Sequence, residues 1–132
     1  PALGRHQALM KMQAFLLLLL GVVLNALAQL GLKSATATSG EIALDRHSLV
    51  AAAGTLLGTP VFWAALVAYG LSVIVWVIGL SRVPVSQAYP LLSLGYVLTA
   101  LGAWALLGEA LSVQRNIGIA VIIVGVILVS RS

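Results

Sequence analysis

The stretch Val83-Pro84-Val85-Ser86-Gln87-Ala88-Tyr89-Pro90-Leu91-Leu92-Ser93-Leu94-Gly95-Tyr96 decides how this chain is read. At helical spacing Ser86, Tyr89, Ser93 and Tyr96 lie three, four and three residues apart, so they share one face of a helix that is otherwise largely apolar. Pro90 stands in the middle of it. Its ring lacks an N–H and crowds the carbonyl of Ser86, four residues earlier, so that carbonyl is expected to lose its partner and the helix to kink. In a membrane-spanning segment an unpaired carbonyl is tolerated only against protein or beside a wet cavity. Kink and polar face together point to the wall of a binding site. The competing reading is a kinked helix whose hydroxyls bond their own backbone.

Working outward, hydrophobic residues make up 61 % of the 132-residue chain and charged residues 8 %, against roughly 45–50 % and 25 % in soluble domains, which excludes a soluble fold. The expected fold is all-α and integral to the membrane: a single domain over residues 1–132, with four helices in an up-down bundle. A chain of this length holds four spans of about 20 residues with short connections and no separate soluble domain. With no cysteine there is neither disulfide nor thiolate chemistry. The net charge of +4 is spread over span ends rather than gathered in a run, which suits anionic lipid headgroups and carries no nucleic-acid signal.

Met10-Lys11-Met12 reads as a natural start, which makes residues 1–9 a segment added by cloning. Span one is expected at 12–32, apolar except for Asn25 and Gln29. Residues 34–48, with their hydroxyls and with Glu41, Asp45 and Arg46, are expected to form the first loop. Residues 49–57 are too short to cross and read as a helix lying on the membrane surface. Thr59-Pro60 then reads as an N-cap and first helical position for span two, 60–80, and Arg82 closes it at the negative end of the helix dipole. Span three is expected at 84–107 and ends at Gly108-Glu109; Ser112 is placed to cap span four, 113–130. Trp63 and Trp104 read as interfacial anchors, and Glu109, His6 and His47 as solvated.

Three spans each carry a polar stripe. Span one has Asn25, Gln29 and Lys33 at four-residue intervals, span two has Tyr69, Ser72 and Trp76, and span three has the face already described. Turned inward, the three would line one cavity, because a buried amide in lipid costs several kcal/mol unless paired. Packing glue between helices, or simple snorkelling of Lys33, is the plainer alternative for these groups. Span four has no polar side chain between Ile117 and Val129, and Gly118 and Gly125 mark a face for close helix association, with this chain or with another. No Asp, Glu or His falls within the four spans, so the intramembrane titrating group on which proton-coupled transport is built is absent, and no catalytic pair, triad or metal cluster is found. The reading is not an enzyme and needs no cofactor. Lys and Arg near span ends number three or four on the terminal side against three on the other, a weak lean toward cytoplasmic termini.

Residues 83–94, Gly108-Glu109-Ala110-Leu111-Ser112, the run 118–128, and 28–35 in span one together resemble the four-span EamA-type members of the drug/metabolite transporter superfamily, in particular those that serve as aminoarabinose-phosphoundecaprenol flippase subunits. The resemblance covers all four spans. It implies a bacterial inner-membrane bundle, working as a homodimer or heterodimer with a similar chain, that moves a polyprenyl-phosphate-linked sugar between leaflets. Asn25, Gln29, Tyr69, Trp76, Ser86, Tyr89, Ser93 and Tyr96 would then surround the headgroup, with Lys33, and Arg82 or Arg115 at the rim, attracting its phosphate. The small multidrug resistance proteins are similar in length and share Pro84, Tyr89 and the Gly118/Gly125 pattern. Where they carry a span-one glutamate this chain has Asn25, and where they carry an aromatic cage residue it has Leu92, departures that weigh against proton-coupled cation export. A third reading is a non-transporting partner subunit of a heterodimer.

Overall fold

A computed structural model describes the backbone of residues 2–131, and the side chains in that range apart from those at positions 2, 3, 6–8 and 10. The expected character of the His6 side chain therefore falls outside the described set. Among the described residues six helices follow in order: α1 Ala2–Ser39, α2 Arg46–Leu57, α3 Pro60–Leu80, α4 Val85–Ala88, α5 Leu91–Leu107 and α6 Val113–Ser130. Four segments are long and apolar enough to cross a membrane: Lys11–Ser39, Pro60–Leu80, Val85–Leu107 and Val113–Ser130. The chain is a four-span α-helical membrane protein.

α1 is the central post, and its main partners are α3 and α5. Its contact with α3 is built from small residues. Ala14, Gly21, Ala28 and Ala35 are buried on α1, and Ala65, Ser72 and Gly79 on α3, each set at seven-residue intervals. Two helices that meet every seven residues keep one seam in register, and small side chains let their backbones approach. A Cβ on Gly21 would lie 3.3 Å from the Ser72 carbonyl oxygen, and one on Gly31 would lie 3.0 Å from Ala65 Cβ. The pairing runs from Leu18 against Gly79 to Gly31 against Ala65, so α1 and α3 are antiparallel. Against α5 the order rises on both helices, with Val22 beside Gly95 and Leu30 beside Gly102, so spans one and three are parallel.

Span one is longer than the sequence suggests. Residues 34–39, expected in the first loop, continue α1 because their hydroxyls bond back into the helix: Thr36 Oγ1 donates to Lys33 O at 2.6 Å and Thr38 Oγ1 to Ala35 O at 2.8 Å. The buried Ala35 anchors this turn, and the helix ends at Gly40, whose φ of +69° places it in the left-handed region. The helix before span two begins at Arg46, one turn earlier than expected, since the Asp45 carboxylate accepts the Ser48 N–H at 3.2 Å as its N-cap. Thr59 occupies the position before Pro60 without capping α3; its hydroxyl donates instead to Thr55 O at 2.9 Å. Trp63 adds a second tie between α2 and α3, its indole N–H donating to Leu57 O at 2.7 Å.

At Pro90 the helix is interrupted rather than only bent. α4 stops at Ala88 and α5 starts at Leu91. Across the break the backbone tightens: Leu92 N–H donates to Tyr89 O at 2.9 Å and Ser93 N–H to Pro90 O at 3.0 Å, both three residues back. Beside this break lies the most deeply packed apolar cluster, Leu18, Val22, Ala88, Leu91 and Val126, with Trp76 and Leu80 against it. α5 ends at Gly108, φ +71°, whose left-handed conformation lets Glu109 N–H reach back to Ala103 O. Ser112 then caps α6, its Oγ accepting the Arg115 N–H at 3.1 Å.

Candidate functional site

The parallel spans one and three leave a groove between them. Its inner part, about 250 Å³, is lined by Asn25 and Gln29 of α1 and by Tyr96 and Thr99 of α5, with Val22 and Leu92 as floor. Gln29, Tyr96 and Thr99 also line the next cavity, about 310 Å³, whose outer rim carries Lys33, Glu109 and Arg115. Lys33 and Glu109 are shared again with an open vestibule of about 820 Å³ that adds Glu41. The three spaces form one path from mid-membrane to the face at which α1 ends. From Asn25 to Lys33 the polar residues climb eight positions of helix, a depth of about 12 Å.

The four-residue spacing on α1 thus puts an amide, a second amide and an ammonium on one wall. The opposite wall offers a phenol and a hydroxyl, although the Thr99 hydroxyl proton is already given to Gly95 O at 2.8 Å. At the rim the charges are mixed: Lys33 and Arg115 stand with Glu109, and no ion pair closes between them among the described residues. Arg115 is steadied by a hydrogen bond from Nη1 to Ala110 O at 3.2 Å. Such a rim suits a group bearing an anion and a cation together.

Of the residues expected at the site, the structure brings together Asn25, Gln29, Lys33, Tyr96 and Arg115. Others lie apart. Span two does not face the groove, because its Ser72 side is the one pressed on the Gly21 backbone, with Ser72 Oγ donating to its own Tyr69 O at 2.6 Å. Tyr69 is therefore turned outward, 43 % exposed, and Trp76 packs on the apolar cluster. Ser86 and Tyr89 lie before the Pro90 break and are exposed, while Ser93 is half-buried and lines none of these spaces. The helix is interrupted between Ala88 and Leu91, so the face that periodicity alone assembles is not one continuous helical face. Arg82 follows α3 and stands at the opposite membrane face from Lys33, so it cannot share a rim with it. Gly118 and Gly125 on α6 are bare: a Cβ on either would find no atom within 4 Å.

Two residues that line the groove were not placed there by the sequence: Thr99, and Glu109, which was read only as solvated and is exposed. Thr99 follows Tyr96 by three residues and extends its face, a signal present in the spacing. Glu109 has no such signal, since its position opposite Lys33 depends on the left-handed turn at Gly108.

A four-span bundle with a polar groove open at one membrane face defines a class, the small multispan transporters. Within it the chain belongs to the EamA-like transporter family, whose family model matches residues 43–131. It is 38 % identical over 131 residues to a protein of Shewanella sediminis, 91 % of this chain and 89 % of the relative. It is also 37 % identical over 94 residues to one of Pseudomonas aeruginosa, 70 % and 82 % of the two chains, and 30 % identical over 123 residues to one of Klebsiella pneumoniae, 92 % and 99 %. The first of these relatives is named a probable 4-amino-4-deoxy-L-arabinose-phosphoundecaprenol flippase subunit ArnF, the other two ArnE. No solved structure matches the chain.

Proposed function

We propose that this chain is a subunit of a flippase that moves a polyprenyl-phosphate-linked amino sugar between membrane leaflets. The observation that carries this reading is the groove in which Asn25, Gln29 and Tyr96 lead to a rim holding Lys33, Arg115 and Glu109. The ammonium of Lys33 and the planar fork of Arg115 attract the phosphate. Glu109 faces the sugar's amino group, and the neutral ladder replaces water around its hydroxyls. The polyprenyl chain stays in hydrocarbon, along the exposed apolar sides of the spans. The relatives named above supply the headgroup chemistry, an amine and a phosphate on one sugar.

The activity is transport and not catalysis, with no cofactor. Without an Asp, Glu or His inside the membrane spans, net movement runs down the gradient of the lipid itself, maintained by its consumption in the receiving leaflet. The site is completed in a dimer with a second copy or a similar four-span chain, through the bare Gly118/Gly125 side of α6. The membrane is the bacterial inner membrane, with both termini in the cytoplasm. Lys11, Arg82 and Arg131, with Arg5 where it is native, lie on the terminal face against Lys33, Arg46 and Arg115 on the other, a weak lean toward that orientation.

The test is a leaflet-resolved flipping assay in reconstituted vesicles with a polyprenyl-phosphate amino sugar, run with this chain alone and with a second four-span subunit. Transport is expected in at least one arm and is lost in Lys33→Ala and Gln29→Ala. Unchanged rates in both variants would overturn the assignment of the groove.

A further inference from the structure

The two membrane faces of the bundle differ in charge balance. On the face where α1 ends, Lys33, Arg46 and Arg115 are matched by Glu41, Asp45 and Glu109, the only three carboxylate side chains in the sequence. The terminal face carries Arg5, Lys11, Arg82 and Arg131 with no acidic side chain, so the formal side-chain charge of +4 resides there. It is also partly enclosed. A cavity of about 510 Å³ opens at this face between the start of α1, the start of span three and the end of α6. Lys11 and Arg131 stand in its wall with the Gln87 amide and the Ser130 hydroxyl, over a floor that includes Phe15 and Leu91.

From this we infer a second ligand site: the terminal-face cavity binds the phosphate headgroup of an anionic lipid. An ammonium and a guanidinium without a carboxylate in the same cavity leave positive potential that an anion relieves, and Arg131 can meet two phosphate oxygens at once. The Gln87 amide adds a neutral donor. A lipid fits better than free phosphate because the wall passes directly from cations to hydrocarbon-facing residues: Met12 and Phe15 line the cavity and are 61 % and 43 % exposed on a membrane-crossing helix. Both halves of a lipid thus find their medium within one site. The inference does not depend on the groove at the opposite face, and none of Lys11, Gln87 or Arg131 lines that groove.

Native mass spectrometry of the full chain in detergent, titrated with dioleoyl phosphatidic acid and separately with dioleoyl phosphatidylcholine, tests it. Phosphatidic acid is expected to bind with at least tenfold preference. The Lys11→Gln/Arg131→Gln variant loses one bound equivalent, and the charge-keeping Lys11→Arg/Arg131→Lys variant retains it. Arg82→Gln, which removes a cation from the same face outside the cavity, leaves binding unchanged. The site is refuted if Arg82→Gln weakens binding as much as Lys11→Gln/Arg131→Gln, which would mean diffuse surface charge, or if that double variant keeps its full complement of lipid. Displacement of the lipid by inorganic phosphate at equal concentration would overturn the assignment to a lipid. A failed flipping assay with intact lipid binding would count against the proposed transport alone.

Discussion

Leu18 fills the space that a side chain on Gly79 would need: a Cβ built on that glycine stands 2.6 Å from Leu18 Cδ2 and 2.8 Å from its Cγ. Gly79→Ala must therefore displace a residue that is 2 % exposed. Overpacking of this kind costs about 1–3 kcal/mol. The midpoint of denaturant unfolding in micelles is expected to fall accordingly. The double variant Leu18→Ala/Gly79→Ala should be less destabilised than the sum of its parts, because the new methyl enters the space vacated. Strict additivity would show that the two residues do not meet.

The start of α6 depends on one hydroxyl. Ser112→Ala removes the acceptor of the Arg115 N–H and is expected to cost about 1 kcal/mol, whereas Ser112→Asp retains the cap. Faster amide exchange confined to residues 113–115 in the alanine variant would verify this.

The helix α2 should be acid-sensitive at its first turn. The Ser48 hydroxyl, and then its backbone N–H, hold the Asp45 carboxyl below its ordinary value of 3.8. A carboxylate with a depressed folded pKa contributes stability that is complete above the unfolded value and is lost as the pH falls through the folded one. Protection of the Ser48 amide is therefore expected to be constant from neutrality down to about pH 4 and to decline below it. Asp45→Asn should keep the cap and abolish the pH dependence.

Headgroup selection should divide between the charges at the rim. Glu109→Gln is expected to slow flipping of an amino-sugar lipid about tenfold, near 1.4 kcal/mol, while sparing a lipid with a neutral sugar. Lys33→Ala should slow both to a similar extent, because both carry the phosphate. Equal losses for the two lipids in the Glu109 variant would remove its role with the amine.

The α6 face is testable by bulk. Gly118→Ala and Gly125→Ala add a methyl that meets no atom within 4 Å in their own chain, so the unfolding midpoint should hardly change. If this face joins two subunits, both variants shift the monomer–dimer balance toward monomer in a single-molecule photobleaching count. A dimer fraction unchanged from the parent would place the interface elsewhere.

Spans two to four were legible because hydropathy, Pro60 and the Gly108–Ser112 turn mark their limits, whereas the hydroxyl-rich end of span one, 34–39, read as loop. The convergence of α1 with α5 was legible in part, since four-residue spacing places Asn25, Gln29 and Lys33 on one wall whatever lies opposite. Which helix lies opposite is another matter. The choice is made by small residues, and the seven-residue recurrence of Ala14, Gly21, Ala28 and Ala35, answered by Ala65, Ser72 and Gly79, was present in the sequence but hidden among larger apolar neighbours. That seam commits the Ser72 side of α3 to α1 and withdraws Tyr69 and Trp76 from the groove. The break at Pro90 withdraws Ser86 and Tyr89 for a different reason, because periodicity assumes an uninterrupted helix.

The groove stops at Val22 and Leu92, and the cavity at the other face stops at Leu18 and Leu91. Leu18 and Val22, one turn apart on α1, belong to the packed cluster with Ala88, Leu91 and Val126, a septum about 6 Å thick measured along α1. The proline interruption borders that septum, so the barrier to passage through the protein is a single turn's thickness of aliphatic contacts beside a joint held by three-residue backbone bonds in place of the regular helical ladder.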